Sequence, residues 1–191
     1  TGLTTSLALN KSGITSVVYE QASELNEVGA GIWLQPNAIK VLDWLGVKDE
    51  IKKQGIELNK MEITNSQLVP LKKLKSEVVQ DEDGNKTIAI HRARLQGILH
   101  NEVLKWNEVH LNKKYISHSS GANTINLQFE NGADTVDVLF GTDGIDSSVR
   151  KALFPKSPVR NSGQVCWRGV SKMSLPDAFK KLGQEAWGKQ I

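Results

Sequence analysis

Val138-Leu-Phe-Gly-Thr-Asp-Gly-Ile-Asp-Ser-Ser-Val-Arg150 decides how this chain is read. Its apolar opening predicts a strand, and Gly141-x-Asp143-Gly144 predicts a tight turn. The hydroxyl pair Ser147 and Ser148 then opens a short helical pattern that carries Arg150, Lys151 and Leu153. The order is strand, acidic turn, helix N-terminus. Glycine admits dihedrals closed to other residues, so such a turn lets backbone N–H groups approach an anionic ligand at the positive end of a helix. Asp143 has two readings at this point, as an acceptor for a sugar hydroxyl or as a brace within the turn. A plain strand-to-helix connection capped by Ser147 is the third.

Composition narrows the classes. The chain has 191 residues, 39% hydrophobic and 24% charged, the balance of a globular protein rather than a disordered or fibrous one. Its net charge of +3 is small and scattered. The densest basic cluster, Lys72, Lys73 and Lys75, reads as a solvated face, so no nucleic-acid partner is expected. No run is long enough to cross a bilayer and no signal sequence opens the chain, so no membrane association is expected either. The single cysteine, Cys166, excludes an internal disulfide and a cysteine-based zinc cluster. His91 and His100 lack partners at metal-ligand spacing, so no metal is expected, and a reducing cytoplasm is the expected location.

Working outward, Leu3-Thr-Thr-Ser-Leu-Ala-Leu-Asn10 predicts a buried helix stopped by Gly13, and residues 14–19 predict a strand ending on Glu20, followed by Gln21. Helix, strand and terminal acid form the second half of a nucleotide-binding βαβ unit, in which a carboxylate roughly 20 residues after the glycine turn reaches ribose hydroxyls. A surface glutamate after a strand is the alternative. Gly29 and Gly31 mark a loop of close backbone approach, and Pro36-Asn37 starts a helix that turns Ile39, Leu42 and Leu45 inward. Residues 58–75 alternate as strands, and residues 80–86 form a polar turn. His91-Arg92-Ala-Arg94-Leu95 begins a helix running to Lys105. Three strands are expected over 109–115, 124–129 and from 135 onward, the last two joined by the hairpin signal Glu130-Asn131-Gly132.

These motifs together resemble the flavoprotein aromatic hydroxylases, single-component FAD-dependent monooxygenases of the salicylate-hydroxylase type. Gly141, Asp143, Gly144, Ser147, Val149 and Arg150 match that family's Gly-Ala-Asp-Gly-x-x-Ser-x-Val-Arg fingerprint, with Thr142 in place of alanine. Thr1, Gly2 and Leu3 match the end of its Gly-x-Gly-x-x-Gly-Leu turn. Val28-Gly-Ala-Gly-Ile-Trp-Leu-Gln-Pro-Asn-Ala38 matches a segment that passes beside the flavin, and Arg92 with Leu95 matches its Arg-x-x-Leu. Val165-Cys-Trp-Arg-Gly-Val170 resembles the family's Trp-Arg-Gly-bearing strand at the entry to the substrate-binding sheet, which implies a further strand there. The resemblance implies an α/β fold, an FAD-binding Rossmann-like domain of the glutathione-reductase type with β-ribbon insertions and the start of a substrate-binding sheet. The expected division is a partial FAD- and NAD(P)H-binding domain over 1–158 and the beginning of a substrate domain over 159–191.

The implied cofactor contacts are Thr1 and Gly2 at the phosphates, Glu20 and Gln21 at the ribose, Gly31, Trp33 and Arg92 at the flavin, Tyr115 near the adenine, and Asp143 and Gly144 at the phosphate region. For Trp33 a partly buried packing role is the alternative. The implied reaction is hydroxylation of a small aromatic substrate by O₂ through a flavin hydroperoxide, with NAD(P)H as reductant and no catalytic base named. A halogenase or epoxidase of the same fold, or an inactive relic, are the alternatives. No later Gly-Asp motif of the family is present, so the sequence is expected to be a fragment truncated at both ends.

Overall fold

The computed structural model describes residues 1–25, 30–74 and 76–188. Gly29, Lys75 and the part of the glycine loop over 26–29 lie outside the described residues. In chain order the elements are α1 (Gly2–Lys11), β1 (Val17–Tyr19), β2 (Gly31–Leu34), α2 (Pro36–Trp44), α3 (Lys48–Gln54), β3 (Ile56–Glu57), β4 (Lys60–Asn65), β5 (Pro70–Lys73), α4 (Ser76–Val79), β6 (Ile88–His91), α5 (Arg92–Val103), β7 (Glu108–His110), β8 (Tyr115–Ser120), β9 (Ile125–Phe129), β10 (Gly132–Val136), α6 (Ser148–Leu153), a 3-10 turn (Asp177–Phe179) and β11 (Leu182–Trp187). They form two compact units, one of Thr1–Asn26 with Leu99–Trp167 and one of Glu27–Ile98 with Arg168–Ile191.

In the first unit, α1 buries Leu7 and Ser6. The Ser6 and Ser16 hydroxyls meet at 2.8 Å, and the Ser16 amide donates to Asn107 Oδ1 at 3.0 Å. Gly13, at φ 75°, closes the helix, and the Ile14 amide folds back onto the Leu9 carbonyl. Those two amides are therefore engaged away from any ladder, which is why the expected strand over 14–19 pairs only from Val17. Its partner is β7, in parallel, with Val17 opposite Glu108 and Tyr19 opposite His110.

The other sheet of this unit runs β10-β9-β8 and is antiparallel throughout. The Asn131-Gly132 hairpin forms as expected, and Gly132 supplies φ 130°. Leu127 and Phe129, alternate residues of β9, are buried on one face. The single strand expected over 109–115 is two elements instead. Asn112 takes a left-handed φ of 58° and donates its amide to the Ala22 carbonyl, which ends β7 and lets β8 start afresh.

Two expected strands do not form. Residues 138–140 run into the acidic turn without ladder bonds, and Val138 and Phe140 are exposed at 64% and 55%. Residues 165–170 form no strand either, with Trp167 exposed at 93%. A strand exists only through a ladder of hydrogen bonds to a neighbouring strand, and neither run is part of such a ladder.

The second unit holds the sheets β2-β6-β3 and β11-β4-β5. Its core gathers Leu34, Ile39, Leu42, Leu45, Val47, Ile51, Leu58, Met61, Ile88 and Ile90. Pro36 sits in the first turn of α2, where its missing N–H costs nothing, and Ile39 and Leu42 face inward. Gly55 is obligatory by contact, because a Cβ there would lie 2.4 Å from Ile88 Cγ2. β11, parallel to β4 with Gly183 opposite Met61, has no counterpart in the sequence reading. Its Leu-Gly-Gln-Glu-Ala-Trp run lacks the β-branched residues that mark strands. α5 begins at Arg92 as expected and stops at Val103, two residues early. Among the described residues no helix is long and apolar enough to cross a membrane.

Candidate functional site

The acidic turn is built around its aspartate. One Asp143 oxygen accepts the Ser147 hydroxyl, and the other accepts the amides of Ser148 at 2.7 Å and Val149 at 3.2 Å. Ser147 in turn accepts the Arg150 amide at 2.9 Å, so two side chains share the unpaired donors at the start of α6. Burial opposes ionisation of Asp143, but these donors outweigh it and hold the carboxyl below the usual carboxylate range. Both local readings of the segment therefore hold: Asp143 braces the turn and Ser147 caps the helix. Gly144 supplies φ 86°, and Gly141 supplies close approach, since a Cβ there would stand 2.8 Å from Val149 Cβ.

The start of α1 lies against this turn. A Cβ on Gly2 would meet Thr142 Oγ1 at 3.0 Å and Val18 Cγ1 at 3.8 Å, which brings two motifs far apart in sequence into one place. Thr1 occupies the cap position of α1, but its side chain makes no capping bond. The first-turn amides of a ten-residue helix are thus left without an intrahelical partner, the arrangement that binds oxyanions. Thr142 is a contact that the sequence reading missed, having recorded it only as a departure from the fingerprint.

Glu20 follows β1 directly. Its amide donates to the His110 carbonyl and its Oε1 accepts the Ala22 amide at 2.9 Å. The second carboxylate oxygen has no bond of this kind among the described residues, and Gln21 beside it is exposed. Tyr19, the last residue of β1, gives its phenol proton to Asp134 and packs on Phe129 at 4.7 Å between ring centroids. Burial, then Asp134, pushes the Tyr19 phenol up, and so it stays neutral. Tyr115 is half-buried at the start of β8, close enough to Asp143 that burial first and the Asp143 charge second raise its phenol as well. Gly2, Thr142, Glu20, Tyr115, Asp143 and Gly144 all belong to the first unit.

Gly31, Trp33 and Arg92 belong to the second. Gly31 pairs with His91 across β2 and β6, and the Arg92 amide donates to the Ala30 carbonyl at 3.1 Å, which seats the start of α5 beside β2. A cleft of about 610 Å³ is lined by Ala30, Gly31, Ile32, Arg92, Arg168, Gly169 and Val170. Arg168 and Gly169 come from the Trp-Arg-Gly run, whose recurrence near the cleft was legible only as a resemblance. Trp33 is not part of this lining, and its Cζ2 lies 3.1 Å from the place a Gly183 Cβ would occupy, so the indole packs against β11. Arg94 is also turned away, donating to the Gln54 carbonyl at 3.3 Å. A second cleft of this unit, about 480 Å³, is laced by Lys40 with Asp81 and Asp83 and by Lys48 with Asp43 and Asn85. Among the described residues no cluster of histidine, cysteine and carboxylate side chains has the makings of a metal site.

Comparison with known proteins identifies the family and the fold. A family model described as an FAD binding domain matches residues 1–176. Aurachin C monooxygenase/isomerase of Stigmatella aurantiaca is 34% identical over 188 residues, covering 98% of this chain and 49% of that protein. 3-Hydroxybenzoate 6-hydroxylase 1 of Aquipseudomonas alcaligenes is 31% identical over 196 residues, covering 97% and 49%. Among solved structures, the tetrameric form of 2-methyl-3-hydroxypyridine-5-carboxylic acid oxygenase superposes with a TM-score of 0.66 at 25% identity, over 80% of this chain and 39% of that one. The chain spans about half the length of the curated relatives it matches.

Proposed function

The chain belongs to the FAD-binding domain family, and from that premise we propose that the protein it represents is an NAD(P)H-using, FAD-dependent monooxygenase that hydroxylates a small aromatic molecule. The observation that carries the cofactor half of this reading is the seating of Gly2 against Thr142 at the uncapped start of α1. A Cβ at Gly2 would press on Thr142 Oγ1 and Val18, so the glycine lets the start of α1 sit close against the Asp143 turn, and its first-turn amides fit an oxyanion ligand. Glu20, with one oxygen tied to Ala22 and the other open, fits a ribose hydroxyl donor. Asp143 is committed to the turn, so its proposed contribution is to hold the backbone of Thr142 and Gly144 in place rather than to touch a sugar. Within the second unit, Arg92 and Gly31 offer a planar cationic fork and a bare backbone edge that suit a flavin. Residues 159–191 begin the substrate-binding domain.

Bound FAD would supply the redox and oxygen chemistry, while the protein positions it and excludes water. The aromatic hydroxylases among the relatives, including one acting on 3-hydroxybenzoate, support the choice of reaction. The test is titration of the full-length protein with FAD, followed by O₂ uptake and NAD(P)H oxidation across a panel of hydroxybenzoates and quinolones. Saturable quenching of flavin fluorescence and substrate-stimulated O₂ uptake are expected. Absence of FAD binding would overturn the reading, and FAD binding without stimulation by any aromatic compound would remove its catalytic half.

A further inference from the structure

In a regular strand Tyr115 and His118 would point to opposite faces, because side chains alternate and three is an odd separation. Here they meet: the Tyr115 hydroxyl and His118 Nδ1 are 2.5 Å apart, with ring centroids at 6.1 Å. The cause is a β-bulge. Along β9 the register advances by one residue from Phe129 to Gln128 while β8 advances by two, from Tyr115 to Ser117, so Ile116 is the extra residue. The bulge restores Tyr115 and His118 to one face. They stand opposite Phe129 and Leu127, the buried positions of β9, and are the two residues of β8 that are not exposed.

Bulges re-aim side chains, and this one aims a neutral phenol with a fixed partner toward the acidic turn. α6 packs on β8, and Asp143 at its start is near enough to act on Tyr115 electrically. The phenol can give its proton to His118 Nδ1 or take one from it, as the tautomer of the imidazole decides, and either way the bond holds the Tyr115 ring.

We propose that His118 is a positioning residue for cofactor binding, acting through Tyr115, whose ring it fixes beside the Asp143 turn. This rests on the reading of the first unit as the FAD site. The bulge then serves to bring the partner within reach, and the side chain required at 118 is any that presents a hydrogen-bonding atom where Nδ1 now lies.

The test is FAD affinity of the full-length protein, read by flavin fluorescence, beside thermal unfolding of the same variants without FAD. His118→Leu and Tyr115→Phe should each weaken FAD binding about three- to tenfold, the value of one ordinary hydrogen bond. The double variant should be no weaker than either single one, because both remove the same bond. His118→Asn, whose amide oxygen can accept the phenol proton, should recover most of the affinity. Additive losses, or a His118→Asn protein as weak as His118→Leu, would overturn the proposal. So would losses of affinity that merely track the unfolding temperature. A wild-type protein that fails to bind FAD would instead sink the site reading on which the proposal stands.

Discussion

Glu20 and Asp143 carry the same functional group, and each follows an apolar run in the first unit, yet the fold treats them oppositely. Asp143 accepts three donors from its own turn and the helix after it. Glu20 accepts one, from Ala22. The difference teaches that an acidic residue in a ligand-binding motif can act in two ways. One shapes the backbone that meets the ligand, and the other meets the ligand itself. Stability and affinity should therefore separate at these two positions.

The largest loss of stability is expected for Asp143→Ala, about 2–3 kcal/mol by urea unfolding, since three donors lose a charged acceptor at once. FAD affinity should fall with it because the turn relaxes. Its folded-state pKa is depressed, so its contribution is complete above the unfolded value and fades as pH falls through the folded one. Asp143→Asn should accordingly flatten the acid limb of the stability curve below about pH 4. An unchanged acid limb would remove the brace from the comparison.

Next comes Gly141→Ala at about 1–2 kcal/mol, because the added methyl overlaps Val149. Combining it with Val149→Ala should cost less than the sum of the two single changes, and simple additivity would show that the contact does not govern the turn. Ser147→Ala should cost about 1 kcal/mol as a lost helix cap. Glu20→Ala closes the series with under about 0.5 kcal/mol of stability, the range of a surface change, but about tenfold in FAD affinity. If Glu20→Ala destabilised as much as Asp143→Ala, the contrast between the two carboxylates would collapse.

Much of this was legible in sequence, for reasons that can be located. Pro36, the Asn131-Gly132 pair and the Ser147 cap act through local backbone chemistry, and each element they announce is present. The Gly2 and Asp143 motifs were visible separately, but their meeting through Thr142 is a tertiary contact that no local spacing encodes. The run at 138–140 had the composition of a strand, and the run at 165–170 the resemblance to one, but neither joins a ladder. β11 shows the converse, a run of poor strand formers held in place by the full length of β4. Trp33 was drawn toward the flavin by its motif, and only the packing partner at 183 revealed where the indole goes. His118 was invisible because an odd separation along a strand conceals a shared face until the bulge is known.

Gly183 has a consequence for how the sequence can drift. A Cβ there would fall 2.8 Å from Leu58 Cδ1 and 3.1 Å from both Met61 Cγ and Trp33 Cζ2, so three side chains from two stretches of chain already occupy the volume of the smallest possible substituent. Position 183 therefore carries nearly all the information a residue can carry. In a saturation library sorted for folded protein it should return glycine almost alone. Any other residue recovered there should come paired with a shortened side chain at 33, 58 or 61, and the identity of that partner would report which of the three neighbours yields most easily.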